Sequence, residues 1–205
     1  MKAMVARGVV LGLAALAAGC TSNGTTAVGG AASAAAEVTR FHLGQNIARG
    51  EIAIEPLEPA EMGSMEFGRH AAAVERQLTA LGWRVVRGNT RSEQVAVVRV
   101  GQGTREQMRR SGLSLGFGGG VGGGGVGAGG GVQVPIGGGR GQIVVTELAV
   151  RLQRRSDGSA IWEGRARTEA RAGTAMADRA AAVDRLAPAL FQGFPGESGR
   201  TIRVQ

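Results

Sequence analysis

Apolar residues recur at intervals of three and four between Met65 and Leu81, where Phe67, Ala71, Val74, Leu78 and Leu81 form one stripe. That period predicts a helix. Ser64 stands at its N-cap position, and Gly82 suits the left-handed residue just past its end. A second helix is expected over about Ala175 to Phe191, with Ala182, Leu186 and Leu190 on one side. Alternating patterns predict strands elsewhere. Val38 to Leu43 should turn Phe41 and Leu43 inward, and Gly50 to Leu57 should do the same with Ile52 and Ile54. Trp83 to Val86 leaves the first helix as a strand, and Gln94 to Val100 is apolar on both sides, as a central strand would be. Gln142 to Arg154 alternates Thr146, Leu148, Val150 and Leu152 with an outer set that includes Glu147, Arg151 and Gln153. Ser156-Asp157-Gly158-Ser159 reads as a hairpin turn. The returning strand, Ala160 to about Ala170, has Trp162, Gly164, Ala166 and Thr168 on one face and a charged opposite face; Thr201 to Val204 adds a last strand.

Strands and helices in this order predict an α+β fold: a mostly antiparallel β-sheet with two helices packed on one face, plus a Gly-rich hairpin or loop insertion. The single domain is expected over residues 38–205. Glycine sharpens this picture, because 17 of the 37 glycines lie in the insertion Gly112 to Gly141. Its arms, Leu113 to Phe117 and Val132 to Ile136, alternate like a hairpin, and Ser111 to Gly139 carries no charge. An apolar hairpin of that kind is a possible contact for an envelope protein partner; a surface insertion without a role is the plainer reading. No Gly-Lys-Ser/Thr follows the run, so a phosphate-binding loop is not supported.

Charge changes the picture less than its size suggests. The chain has 205 residues and a formal charge of +8. Its basic residues are almost all arginines, scattered among glutamates instead of gathered in blocks. Aromatic residues do not alternate with arginine, so no nucleic-acid partner is expected.

The N-terminus carries the most specific pattern. Lys2 and Arg7 precede an uncharged apolar stretch, Gly8 to Ala18, which is too short to span a bilayer and matches a secretory signal. It ends in Leu16-Ala17-Ala18-Gly19-Cys20, and Cys20 is the chain's one cysteine. Small residues before a cysteine resemble the lipobox of bacterial lipoproteins, although Ala17 stands where leucine is usual. The expectation is a signal peptide over residues 1–19, removed by cleavage, with diacylglycerol and further acyl chains such as palmitate on Cys20. Residues 20–37 would then form a lipidated flexible tether. Cleavage would remove Lys2 and Arg7 and lower the formal charge to +6. Thr21, where aspartate would favour the inner membrane, points to the inner leaflet of the outer membrane and a domain facing the periplasm.

Candidate chemistry is sparse. His42 and His70 are the two histidines, without metal-ligand spacing; His70 reads as a surface or partly packed helix residue. Glu58 and Glu61 sit in a proline-bounded loop, and Gly112-Leu113-Ser114-Leu115-Gly116 lacks the strand-turn-helix setting of a nucleophile elbow. No catalytic, metal-binding or cofactor-binding residue is expected, and no cofactor. The function expected is non-catalytic binding or envelope scaffolding. The alternative is a hydrolase of envelope polymers, which a cleft holding a histidine beside a carboxylate and a serine would favour.

Three segments carry a family resemblance: Leu81-Gly82-Trp83, the run Asp157-Gly158-Ser159-Ala160-Ile161-Trp162-Glu163-Gly164, and Leu190-Phe191-Gln192-Gly193-Phe194-Pro195. With the lipoprotein-like start and an early Phe-containing strand, they resemble the bacterial lipoprotein family catalogued as domain of unknown function 4136, over about Val38 to Pro195. The resemblance implies an envelope lipoprotein facing the periplasm, and it attributes no reaction and no catalytic residues.

Overall fold

The computed structural model describes residues 35–86, 91–105 and 142–205. Their elements are strand β1 (Ala36–His42), β2 (Glu51–Pro56), helix α1 (Met65–Ala80), β3 (Arg84–Val86), β4 (Gln94–Thr104), β5 (Ile143–Arg154), β6 (Ala160–Arg171), helix α2 (Arg179–Phe191) and β7 (Thr201–Val204). The strands form one seven-stranded sheet in the order β3-β2-β4-β5-β6-β1-β7. The α+β class holds, but the sheet is mixed instead of mostly antiparallel. β2 pairs in parallel with both β3 and β4, while β4-β5, β5-β6, β6-β1 and β1-β7 are antiparallel. Helix α1 is the reason. It carries the chain back along the sheet between β2 and β3, so β3 must start from the same end as β2.

Both helices lie over one face. Phe67, Val74 and Leu78 of α1 and Val183, Leu186 and Leu190 of α2 share a core with Val38, Ile52, Ala96, Val98, Leu148, Val150, Leu152, Trp162 and Ala166. Period-two alternation puts the even positions of β4, β5 and β6 on this face. Burying each large apolar side chain there contributes roughly 1.5–3 kcal/mol. β4 is buried on both faces, as its run of valines predicts.

The local signals hold at most boundaries. The Ser64 hydroxyl accepts a hydrogen bond from the Phe67 amide at 3.0 Å, which caps α1, and Gly82 adopts φ +97° after it. Gly158 turns the β5-β6 hairpin at φ +68°. The second helix starts later than expected. A 3-10 turn, Ala175–Ala177, comes first, and the Asp178 side chain then accepts from the Ala181 amide at 2.9 Å to start α2 at Arg179.

Two inward-outward assignments are corrected. Phe41 and Leu43 were expected to face inward, yet they are 44% and 81% exposed; Ala36, Val38 and Arg40 face the core instead. Strand β1 thus presents a charged residue to the interior. Glu147 was expected in water, yet it is 9% exposed. The pleat places it on the sheet face away from the helices, opposite Arg167 and beside the Ala149–Arg165 row. Arg99 also acts on it. Burial pushes its carboxyl above the ordinary glutamate value, and the three arginines oppose that push. Its Oε1 has no hydrogen-bond partner among the described residues. On the same face, Arg151 and Glu163 pair at 2.6 Å across the hairpin, as opposite charges on facing strands should.

Candidate functional site

The three signature segments, far apart in sequence, meet at one end of the domain. Trp83 leaves α1 and meets Phe194 edge-on at 5.4 Å between centroids. Trp162 of β6 stacks on Phe191 at 5.3 Å and touches Phe194 at 5.2 Å. The Trp162 indole nitrogen donates to the Pro195 carbonyl at 3.0 Å, which satisfies the polar atom of a fully buried ring. Gly164 is required by this packing. A Cβ there would lie 2.8 Å from Leu190 Cδ1 and would also strike the Trp162 ring.

Arg40 completes this end. Its Nε donates to the Leu190 carbonyl at 2.9 Å, and its Nη2 donates to the carbonyls of Ala189 at 3.1 Å and Gln192 at 2.9 Å. Those are carbonyls of the last turn of α2 and of its C-cap residue, which have no partner within the helix. A cation is also the favourable charge at a helix C-terminus. Burial lowers the pKa of the guanidinium, yet arginine starts so high that it stays charged. His42, one pleat further on, ties down the following segment. Its Nε2 donates to the Gly196 carbonyl at 3.0 Å, and its Nδ1 accepts from the Gly44 amide at 3.0 Å. Ser198 accepts from the His42 amide and donates to its carbonyl, both at 3.0 Å. The histidine, the serine and the buried arginine are thus held by backbone groups.

A cleft of about 370 Å³ opens beside this cluster, between the β1-β2 loop and the β5-β6 hairpin. Leu43, Gln45, Asn46 and Ile47 line one side, and Arg154, Ser159 and Ile161 line the other. Gln94 fixes the loop to the core: it accepts from the Trp83 indole nitrogen at 2.8 Å and donates to the Ala48 carbonyl at 3.0 Å. Arg49, next in the chain, lies over the Trp83 ring at 5.6 Å, within cation–π range. On the hairpin side the register slips by one residue. Leu152 faces Trp162 but Gln153 faces Ala160, so Ile161 is the extra residue of a bulge.

The other histidine lies elsewhere. His70 is 6% exposed, more buried than expected for a surface or partly packed residue, because it turns in with Phe67 and Val74. Desolvation lowers its pKa below the ordinary value, partly opposed by Glu66. A cavity of about 230 Å³ brings His70 together with Glu61, Ser64, Glu66 and Arg179. These are the residue types that a hydrolase would use. Their bonds are otherwise committed: Ser64 caps α1, and Glu66 pairs with Arg179 at 2.7 Å. Among the described residues no hydrogen bond links Ser64 to His70, so the nucleophile–base contact that such chemistry needs is not formed. Glu58 and Glu61 are exposed in the loop around the 3-10 turn Pro59–Glu61. Cys20, Ser114, the insertion Gly112 to Gly141 and residues 20–34 of the tether lie outside the described residues, while Ala36 and Glu37 at the end of the expected tether belong to β1.

The fold and this end define a class: a mixed-sheet α+β domain closed by a Trp-Phe-Pro cluster. The chain belongs to the family described as domain of unknown function 4136, matched over residues 51–196. That span holds all three signature segments and begins after β1, later than the Val38 start expected from sequence. A relative in Zymomonas mobilis subsp. mobilis, described as an uncharacterised protein, is 37% identical over 82% of this chain and 80% of its own length. Among solved structures, the PelC dodecamer from Paraburkholderia phytofirmans is similar at a TM-score of 0.40 and 12% identity, covering 74% of this chain and 91% of that one. A PDZ domain protein from Parabacteroides distasonis has a TM-score of 0.48 and 9% identity over 83% of this chain and 39% of that one.

Proposed function

We propose that this chain is a lipid-anchored envelope protein. Its domain faces the periplasm from the inner leaflet of the outer membrane and works by binding or scaffolding instead of catalysis. One observation carries the binding reading: the family's signature residues build one end of the domain with a cleft beside it, and the reactive side-chain atoms gathered at that end are occupied by backbone groups. Trp162, Arg40, His42 and Ser198 all follow this pattern. The anchor rests on the sequence. The chain's one cysteine sits where a lipobox needs it, and several acyl chains hold a protein on a membrane where one is marginal.

The test is fractionation of a Gram-negative host that expresses the chain. The native protein is expected in the outer-membrane fraction, with the mass of a diacylglyceryl and acyl adduct on its Cys20 peptide. Cys20→Ala is expected in the soluble fraction. Continued membrane attachment of Cys20→Ala would falsify the lipid anchor, and a native Cys20 peptide without added mass would do the same.

A further inference from the structure

We infer that the cleft between the β1-β2 loop and the β5-β6 hairpin binds a small hydroxyl-rich molecule that carries an anionic group, either a sugar acid or a sugar phosphate. This deepens the binding reading above and rests on it. Three features of the cleft carry the inference. Its volume, about 370 Å³, suits a ligand of one or two rings. Its charge is one-sided: Arg154 is the one ionisable side chain among the described residues that line it. Asp157, in the hairpin turn, accepts from the Ser159 amide at 2.9 Å and from the Ser159 hydroxyl at 2.7 Å, both on one carboxylate oxygen; these bonds, with Arg154 nearby, hold its carboxyl below the ordinary aspartate value. A guanidinium matches a carboxylate or phosphate with two parallel hydrogen bonds.

The rest of the lining fits a polyol. Gln45 and Asn46 each offer a donor and an acceptor, as neighbouring hydroxyls require. The Ser159 hydroxyl gives its proton to Asp157 and keeps its lone pairs to accept from the ligand. Leu43, 81% exposed at the mouth, and Ile161 supply apolar surface for the C–H face of a ring. The bulge at Ile161 is the third feature. Bulges concentrate beside binding sites because they re-aim a side chain out of the regular pleat. Here the re-aimed residue lies inside the longest signature segment of the family, so that one segment anchors the core through Trp162 and forms the cleft wall through Ser159 and Ile161.

The test is a titration of the purified full chain in detergent micelles, followed by backbone amide resonances. The probes are glucuronate, glucose 6-phosphate, neutral glucose and a tripeptide ending in aspartate. Glucuronate or glucose 6-phosphate is expected to shift Asn46, Ser159 and Ile161 saturably, with glucose far weaker; the better of the two identifies the anionic group. Arg154→Gln should weaken that binding about 10-fold or more. Arg76→Gln, on the exposed face of α1, should leave it unchanged. Equal binding of glucose, preference for the tripeptide, no saturable shift with any probe, or an unaltered affinity in Arg154→Gln would each overturn the inference. The titration needs no membrane, so it reads separately from the fate of the lipid anchor.

Discussion

At the scale of single residues, close approach decides more than chemistry. Gly164 sits under Trp162 and Leu190 with no room for a methyl group, and the atoms it would strike belong to fully buried side chains. Those side chains are held by their own stacking and hydrogen bonds, so they cannot move aside cheaply. Gly164→Ala should lower unfolding free energy by about 1–3 kcal/mol, the usual effect of overpacking a core. Urea denaturation measures this, and a midpoint equal to the parent's would show that the end relaxes around the methyl. Gly196 is constrained in the same way, since a Cβ there would meet Arg40 Nη1 at 2.6 Å. Arg40 itself explains why Phe41 faces water. The strand can turn only one parity inward, and the three carbonyls waiting at the end of α2 select the arginine.

At the scale of elements, most of the fold was legible and the exceptions share a cause. Helix α1, its cap, the β5-β6 hairpin and the two-sided burial of β4 follow from spacing within each segment. Helix α2 and the last strand were also legible, apart from the late start of α2 at Arg179. Parallel pairing of β2 with β3 and β4, the inward Arg40 and the buried Glu147 were not, because each depends on a partner distant in the chain. The cleft was half legible: the hairpin turn and signature segment were visible, whereas Gln45, Asn46 and Gln94 had no pattern to mark them. Glu147 allows a test at this scale. Its raised carboxyl pKa means that the native state holds the proton more tightly than the unfolded chain does. Stability from this group therefore falls as pH rises through the window between the unfolded value of 4.5 and the raised native value. Arg99 on β4 and Arg165 and Arg167 on β6 narrow that window without closing it. Glu147→Gln, neutral and of the same shape, should be more stable than the parent at neutral pH, with the gap shrinking on acidification. Thermal unfolding at pH 4.5 and pH 7.5 checks it; a variant less stable at pH 7.5 would mean that the arginines hold a carboxylate there.

At the scale of the molecule, some of the arginines tie parts of the domain together. Arg76–Asp184, Arg151–Glu163, Arg155–Glu55 and Arg179–Glu66 join different elements of the domain. The exposed pairs among them contribute little stability each. Cohesion comes instead from one continuous core that runs under both helices and ends in the aromatic cluster. The chain's two tryptophans both lie in that cluster, one after α1 and one in β6. Trp83→Phe and Trp162→Phe therefore leave single reporters in different halves of the fold. Each variant's urea transition by fluorescence should coincide with its own far-ultraviolet circular dichroism. Separate midpoints within either variant would show that the α1 half and the β6-α2 half unfold independently.

The clasp of Arg40 on the last turn of α2 also bears on the order of assembly. The two partners are about 150 positions apart, and among the described residues β1 pairs with β6 and β7. A chain that crosses the membrane N-terminus first delivers β1 before the strands it pairs with. The first strand must wait for the last part of the domain, and closing so long a loop makes folding slower than the helices alone would suggest. What completes the domain is a handshake between its earliest and latest segments.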